Sequence, residues 1–232
     1  MQNNATDKLS PLKKLTAEQE ALVNQIINFT NQHLNNNFPA TFTIYGDAGT
    51  GKSVVLSALF DQIQKLRQTK NSNFYQTNNY FLVNHPEILK VYKQIAGPLP
   101  ELLKKNFQRP TSFINQLDKK QKEADIVIID EAHLLLSKPD HYNNFYHDNQ
   151  LVEIIKRSKV VILVFDPYQV LKMKTLWTKE RLERITHLYP HEEYYLKHQF
   201  RMNASSDLID WFNSFTENKI IKPIPDNATK NY

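Results

Sequence analysis

Two clusters of residues have the types and spacing to do chemistry together. The first is Gly46-Asp47-Ala48-Gly49-Thr50-Gly51-Lys52-Ser53, which satisfies G-x-x-x-x-G-K-[ST] at every fixed position. Three of the chain's 4 glycines, Gly46, Gly49 and Gly51, fall inside it. Glycine spent so selectively marks a backbone that turns tightly and lets a ligand come close. A loop of this kind aims successive N–H groups and a helix dipole at an anion, so it predicts a phosphate site. Lys52 is placed to meet the β- and γ-phosphates of ATP, and the Ser53 hydroxyl to ligate Mg²⁺.

The second cluster is Asp130-Glu131-Ala132-His133, directly after Ile126-Val127-Ile128-Ile129. Four consecutive apolar residues predict a strand buried on both faces, which delivers its acids to the ligand-facing edge of a sheet. There Asp130 can hold Mg²⁺ through its water shell, and Glu131 can orient or deprotonate the water that attacks a γ-phosphorus. On its own the tetrad also reads as an ordinary acidic strand end; the phosphate loop upstream favours the metal and water roles.

Lesser candidates lie elsewhere. Asp166-Pro167-Tyr168-Gln169 follows the apolar run Val160 to Phe165, and Gln169 can sense a γ-phosphate there, although Asp166-Pro167 also reads as a plain turn. Arg201 offers a bidentate fork to phosphate oxygens, and Phe200 a flat surface for a purine. Gln19 can complete a capping box with Thr16 or read an adenine edge with its amide; the spacing leaves both open. The stretch Ser137 to Gln150 holds His141, His147, Asp140 and Asp148 without tight metal-site spacing, and reads as a polar loop.

These residues need a scaffold, and the hydrophobic pattern supplies one. Thr41 to Tyr45, Tyr80 to Val83, the acidic run, Val160 to Phe165 and Glu192 to Leu196 read as strands. Helices are expected from Thr16 onward, after the phosphate loop, over Glu87 to Ala96, Leu151 to Lys156, Thr178 to His187 and Ser206 to Phe215. The alternation predicts an α/β three-layer domain with a mainly parallel sheet over 15–216, between a polar lead-in (1–14) and an extended tail (217–232).

Composition narrows the class. At 232 residues, 41% hydrophobic and 23% charged, the chain can bury one full core. It has no apolar run of transmembrane length, no signal-peptide layout at Met1-Gln2-Asn3-Asn4 and no cysteine, which fits a reducing cytoplasm rather than a membrane or an oxidising compartment. A net charge of +5 permits a polyanionic partner. Lys104, Lys105, Arg109, Lys119, Lys120 and Lys122, with Phe107 and Phe113 between them, read either as a track for a nucleic-acid backbone or as solvated helix faces with the aromatics turned inward.

The assembled order resembles superfamily 1 helicases and, more specifically, the Schlafen-group-3-like DNA/RNA helicase domain family, over Leu15 to about Phe215. Leu82-Val83-Asn84-His85-Pro86-Glu87 and Phe165-Asp166-Pro167-Tyr168-Gln169-Val170-Leu171 carry much of that likeness. The resemblance implies a RecA-like P-loop ATPase domain in which Gln19 reads adenine, Phe200 stacks on it, Gln169 and Arg201 contact the γ-phosphate, and Asn84 and His85 lie where single-stranded DNA or RNA is held. It also implies a second motor domain carrying another phosphate-contacting arginine, which this stretch of chain is too short to supply; a longer parent chain would account for that. The alternative is a nucleotide-dependent switch or binding module that does not unwind. A small-substrate kinase would need an acceptor pocket and lid arginines, which the sequence does not display.

Overall fold

A computed structural model describes residues 6–7, 9–47, 49–167, 169, 177–196, 214 and 223. The chain divides into two compact units, Met1–Lys197 and His198–Tyr232. The helix expected over Ser206 to Phe215 and the extended tail fall almost entirely outside the described residues.

The first unit is built on six parallel strands: β1 Ala40–Gly46, β2 Asn79–Val83, β3 Phe107–Gln108, β4 Ala124–Asp130, β5 Ser158–Phe165 and β6 His191–Leu196. Their order across the sheet is β3-β2-β4-β5-β1-β6. β5 therefore separates the strand that runs into the phosphate loop from the strand that ends in the acids.

Alternation along each strand sorts the core into two layers. Ile126 and Ile128 of β4, with Val160, Ile162 and Val164 of β5, face one side; Val127, Ile129, Val161, Leu163 and Phe165 face the other. On the first side lie α1 (Ala17–His33), α2 (Lys52–Gln68) and α3 (Pro86–Ile95), through Leu22, Ile26, Phe29, Val55, Leu59 and Leu89. On the second lie α4 (Pro110–Lys120), α5 (Gln150–Lys156) and α6 (Lys179–Thr186), through Phe113, Leu117, Leu151, Ile154 and Leu182. This is the three-layer α/β P-loop NTPase architecture that the alternating pattern implies. No described helix is long and apolar enough to cross a membrane.

Local chemistry explains several boundaries. Thr16 caps α1: its hydroxyl accepts from the Gln19 amide at 3.3 Å, and Gln19 Oε1 accepts from the Thr16 amide at 3.1 Å, a reciprocal capping box. Proline opens both α3 and α4, where its missing N–H is not needed. In the lead-in, Leu9 packs against the main core. Phe107 and Phe113 are buried in opposite layers, whereas Lys104, Lys105, Lys119, Lys120 and Lys122 are exposed. The basic region thus has solvated lysines, and neither Phe107 nor Phe113 is exposed for stacking.

Candidate nucleotide site

β1 carries the chain to Gly46 at its carboxyl end. A Cβ there would stand 2.8 Å from Thr50 Oγ1 and 3.1 Å from the Leu196 carbonyl oxygen, so the loop closes tightly against the end of β6 only because this residue has no side chain. Gly49 and Gly51 take φ of 96° and 83°, the left-handed region that glycine enters freely. Gly51 is the N-cap of α2 and no side chain caps it. The first N–H groups of a helix have no partner within it, so these amides are available to an anion. Ala48 lies outside the described residues.

Lys52 is buried, with its ammonium folded back onto the loop. Its Nζ donates to the carbonyls of Gly46 and Asp47, both at 2.6 Å, and stands 3.4 Å from Asp166 Oδ2. The next residue reaches the second cluster: Ser53 Oγ donates to Asp130 Oδ1 at 3.3 Å. The parallel register of β1, β5 and β4 makes this possible, because all three strands end at one edge of the sheet.

Asp130 is 1% exposed and its bonds come from neutral donors. Tyr92 Oη donates to Oδ2 at 2.8 Å, while the Glu131 amide and Ser53 hydroxyl reach Oδ1 at 3.1 and 3.3 Å. Burial pushes the carboxyl up to about 6, with the neighbouring Glu131 charge adding to the rise and the Tyr92 and Ser53 bonds and the Lys52 charge opposing it. The same desolvation and the Asp130 charge raise the Tyr92 phenol well above its ordinary value. A hydroxyl and an under-compensated carboxylate side by side form a hard-oxygen donor set of the kind that suits Mg²⁺.

Glu131 has φ 55° and ψ 53°, a left-handed conformation that disfavours a side chain by about 1–2 kcal/mol. Backbone strain of this kind concentrates at functional sites. The turn that follows is pinned from two directions: Asn84 Nδ2 donates to the Leu134 carbonyl at 2.6 Å, and Trp177 Nε1 donates to the Leu135 carbonyl at 2.6 Å. Glu131 Oε2 stands 3.4 Å from Nε2 of the buried His133, whose ring burial holds below its usual pKa. Asp166, fully buried at the end of β5, accepts from the Gln169 amide at 3.2 Å and from Gln169 Nε2 at 2.9 Å. Asp166 thereby links Lys52 to Gln169.

The sheet thus gathers Gly46, Asp47, Gly49, Thr50, Gly51, Lys52, Ser53, Asp130, Glu131 and Gln169 at its carboxyl edge. Gln19 is buried in its capping box, and no hydrogen bond among the described residues joins it to the loop. Asn84 spends its amide on the turn after the acids; His85 is exposed at the N-cap of α3. Phe200 and Arg201 lie outside the described residues. Tyr92 is not singled out by sequence pattern, and Asp166 enters only as part of the stretch leading to Gln169, without a role of its own. Tyr92 follows Leu89 at helical spacing and reads as core, and Asp166 reads as a turn residue.

The family described as "Schlafen group 3, DNA/RNA helicase domain" matches residues 39–232. The uncharacterized protein YPL245W of Saccharomyces cerevisiae is 38% identical over 242 residues, an alignment covering 97% of this chain and 53% of the yeast protein. The chain therefore spans about half the length of that relative. Among solved structures, the Aeropyrum pernix ORC1 protein in complex with DNA matches with a TM-score of 0.50 and 14% identity, over 94% of this chain and 54% of that one. AMPPCP-bound DnaA from Aquifex aeolicus matches at 0.40 and 18%, over 94% and 63%.

Proposed function

The chain belongs to the Schlafen group 3, DNA/RNA helicase domain family, and from that premise we propose that it binds and hydrolyses ATP as the first motor domain of a superfamily 1-type DNA or RNA helicase or translocase. The observation that carries the reading is the 3.3 Å bond from Ser53 to Asp130, which closes the phosphate loop and the acidic strand end on one site. Lys52 exchanges the Gly46 and Asp47 carbonyls for the β- and γ-phosphate oxygens, a charge-assisted replacement for neutral acceptors. Amides from Gly49 to Ser53 bind the phosphates alongside it.

Ser53 and Asp130 would hold Mg²⁺, which would supply charge neutralisation at the phosphates. Glu131 accepts a proton from the water that attacks the γ-phosphorus, and ADP is the leaving group. Gln169, held by Asp166, reports on the γ-phosphate. Arg201 supplies a further contact to it, Phe200 and Gln19 contact the adenine, and Asn84 and His85 border single-stranded nucleic acid. A second motor domain in a longer parent chain contributes another arginine. Such a residue is worth about 10³–10⁵ in rate, so turnover by this stretch alone is slow. The absence of cysteine fits a reducing cytoplasm.

The test is ATP hydrolysis with and without single-stranded DNA or RNA at several salt concentrations. Stimulated turnover with salt-sensitive binding supports the motor reading. Hydrolysis indifferent to nucleic acid replaces it with a nucleotide-dependent switch, and no calorimetric heat from MgATP removes both.

A further inference from the structure

At the opposite end of β6 from the phosphate loop, three ligand-type side chains converge without a part in the chemistry above. We infer that His187, His191 and Glu193 form a three-ligand Zn²⁺ site joining the end of α6 to the edge strand β6. His187 follows the last turn of α6, while His191 and Glu193 project from β6, which pairs with β1 from Thr41↔His191 to Gly46↔Leu196. Their ligand atoms all lie within 4.8 Å of one another.

The geometry is that of one coordination face. Glu193 Oε1 stands 3.0 Å from His187 Nε2 and 3.2 Å from His191 Nε2. Zn–N and Zn–O bonds near 2.0–2.2 Å in a tetrahedron put neighbouring ligand atoms about 3.4 Å apart, so little movement is needed. Tyr195 Oη donates to Glu193 Oε2 at 3.3 Å, which leaves Oε1 as the single coordinating oxygen.

Hydrogen bonding is compatible with Nε2 as the ligating nitrogen. Thr41 Oγ1 reaches both the Thr186 carbonyl, at 3.2 Å, and His191 Nδ1, at 2.8 Å. When the hydroxyl gives its proton to the carbonyl, it accepts from Nδ1–H of His191. In that tautomer Nε2 keeps its lone pair for a metal, whereas in the metal-free protein a proton on Nε2 donates to Glu193 Oε1 at 3.2 Å. A hydroxyl or carbonyl partner on the remote nitrogen is how a ligating histidine is held in its tautomer. Two imidazole nitrogens and one carboxylate oxygen, with a fourth position for water, are a donor set that suits Zn²⁺. His191 is 9% exposed and His187 52%, so the site is anchored on the strand and entered from the helix side.

The full chain, stripped of metal and titrated with Zn²⁺ by calorimetry and with Co²⁺ by visible absorption, tests this directly. One equivalent of Zn²⁺ is expected, with the d–d bands of tetrahedral Co²⁺. His187→Ala, at a half-exposed position, should keep the far-ultraviolet circular dichroism of the wild type. It should weaken Zn²⁺ by more than about 100-fold, the upper end of what losing an outer-shell partner does. Asp130→Asn should leave the Zn²⁺ isotherm unchanged, which separates this site from the oxygen ligands at the phosphate loop. Equal uptake by wild type and a folded His187→Ala, or no tetrahedral Co²⁺ spectrum, would mean that the cluster carries a shared proton only, and the inference falls.

Discussion

Tyr92 Oη donates a 2.8 Å hydrogen bond to Asp130 Oδ2 across 38 residues of sequence, with both side chains buried. The bond ties α3 to the end of β4 and fixes the carboxylate whose other oxygen meets Ser53. The orientation of Asp130 toward the phosphate loop therefore depends on a helix that lies outside both motifs.

Tyr92→Phe keeps the ring and deletes the donor. The phenol normally opposes the rise in the Asp130 pKa, so its loss should move that pKa further up. A buried acceptor left without its partner destabilises by about 1–3 kcal/mol. Urea denaturation should show that loss with an unchanged m-value. The Mg²⁺ concentration for half-maximal ATP turnover should rise, because the ligand loses its orientation. A variant with wild-type stability and wild-type Mg²⁺ dependence would show that the bond orients nothing.

Asp130 makes a stability prediction with a definite sign. Its folded pKa, about 6, exceeds the ordinary unfolded value, so the folded state holds the proton more tightly. Its contribution is fully present below about pH 4 and is lost as pH rises toward 6. In EDTA the wild type should therefore lose stability relative to Asp130→Asn across that window, by on the order of 1–3 kcal/mol near neutrality. Denaturation curves at pH 4, 5, 6 and 7 give the difference directly. A gap between the two proteins that does not widen with pH would mean the carboxylate is already compensated in the folded state.

Elements whose signals are local were legible in the sequence. Thr16 and Gln19 announce their helix by spacing alone, and the six apolar residues from Val160 to Phe165 announce β5. The phosphate loop and the Asp130-Glu131 pair are likewise contiguous motifs. What was not legible depends on non-local packing. β3 is two residues long, below any periodicity, and Tyr92 sits in the stripe Leu89, Tyr92, Ile95, where an aromatic residue reads as core. Asn84 stands at the expected strand end, yet its amide holds the Leu134 carbonyl, a partner 50 residues away that no spacing rule names. The His187, His191 and Glu193 cluster straddles a helix end and a strand start, so neither period displays it.

Lys52→Ala should weaken nucleotide binding directly, because the ammonium is the charge-assisted donor to the phosphates. It should also change the unliganded protein. Asp166, fully buried, would keep the two Gln169 bonds but lose the 3.4 Å approach of the Lys52 ammonium. A loss of stability on the order of the 3–5 kcal/mol seen on breaking buried pairs is an upper bound, because 3.4 Å is a loose contact. Lys52→Ala with Asp166→Asn should recover stability without recovering MgATP binding in calorimetry. Recovery of both would assign Lys52 to folding rather than to the phosphate.

Glu131 has two distinct properties, its carboxylate and its left-handed backbone, and two substitutions separate them. Glu131→Gln keeps the shape and the strain but cannot take a proton, so MgATP should bind while turnover falls by about 10²–10⁴-fold. Glu131→Gly removes the carboxylate and also relieves the backbone. The strain of about 1–2 kcal/mol exceeds the roughly 0.5–1 kcal/mol entropic penalty of glycine, so the net sign is stabilising. Removing the charge beside the buried Asp130 acts in the same direction. A rise in Tm of about 2–4 °C per kcal/mol should be readable by calorimetry, in a protein as inactive as the glutamine variant. Full turnover in Glu131→Gln would transfer the base to another group, and a lower Tm in Glu131→Gly would mean that the side-chain contacts of Glu131, the 3.4 Å approach to His133 among them, outweigh the strain.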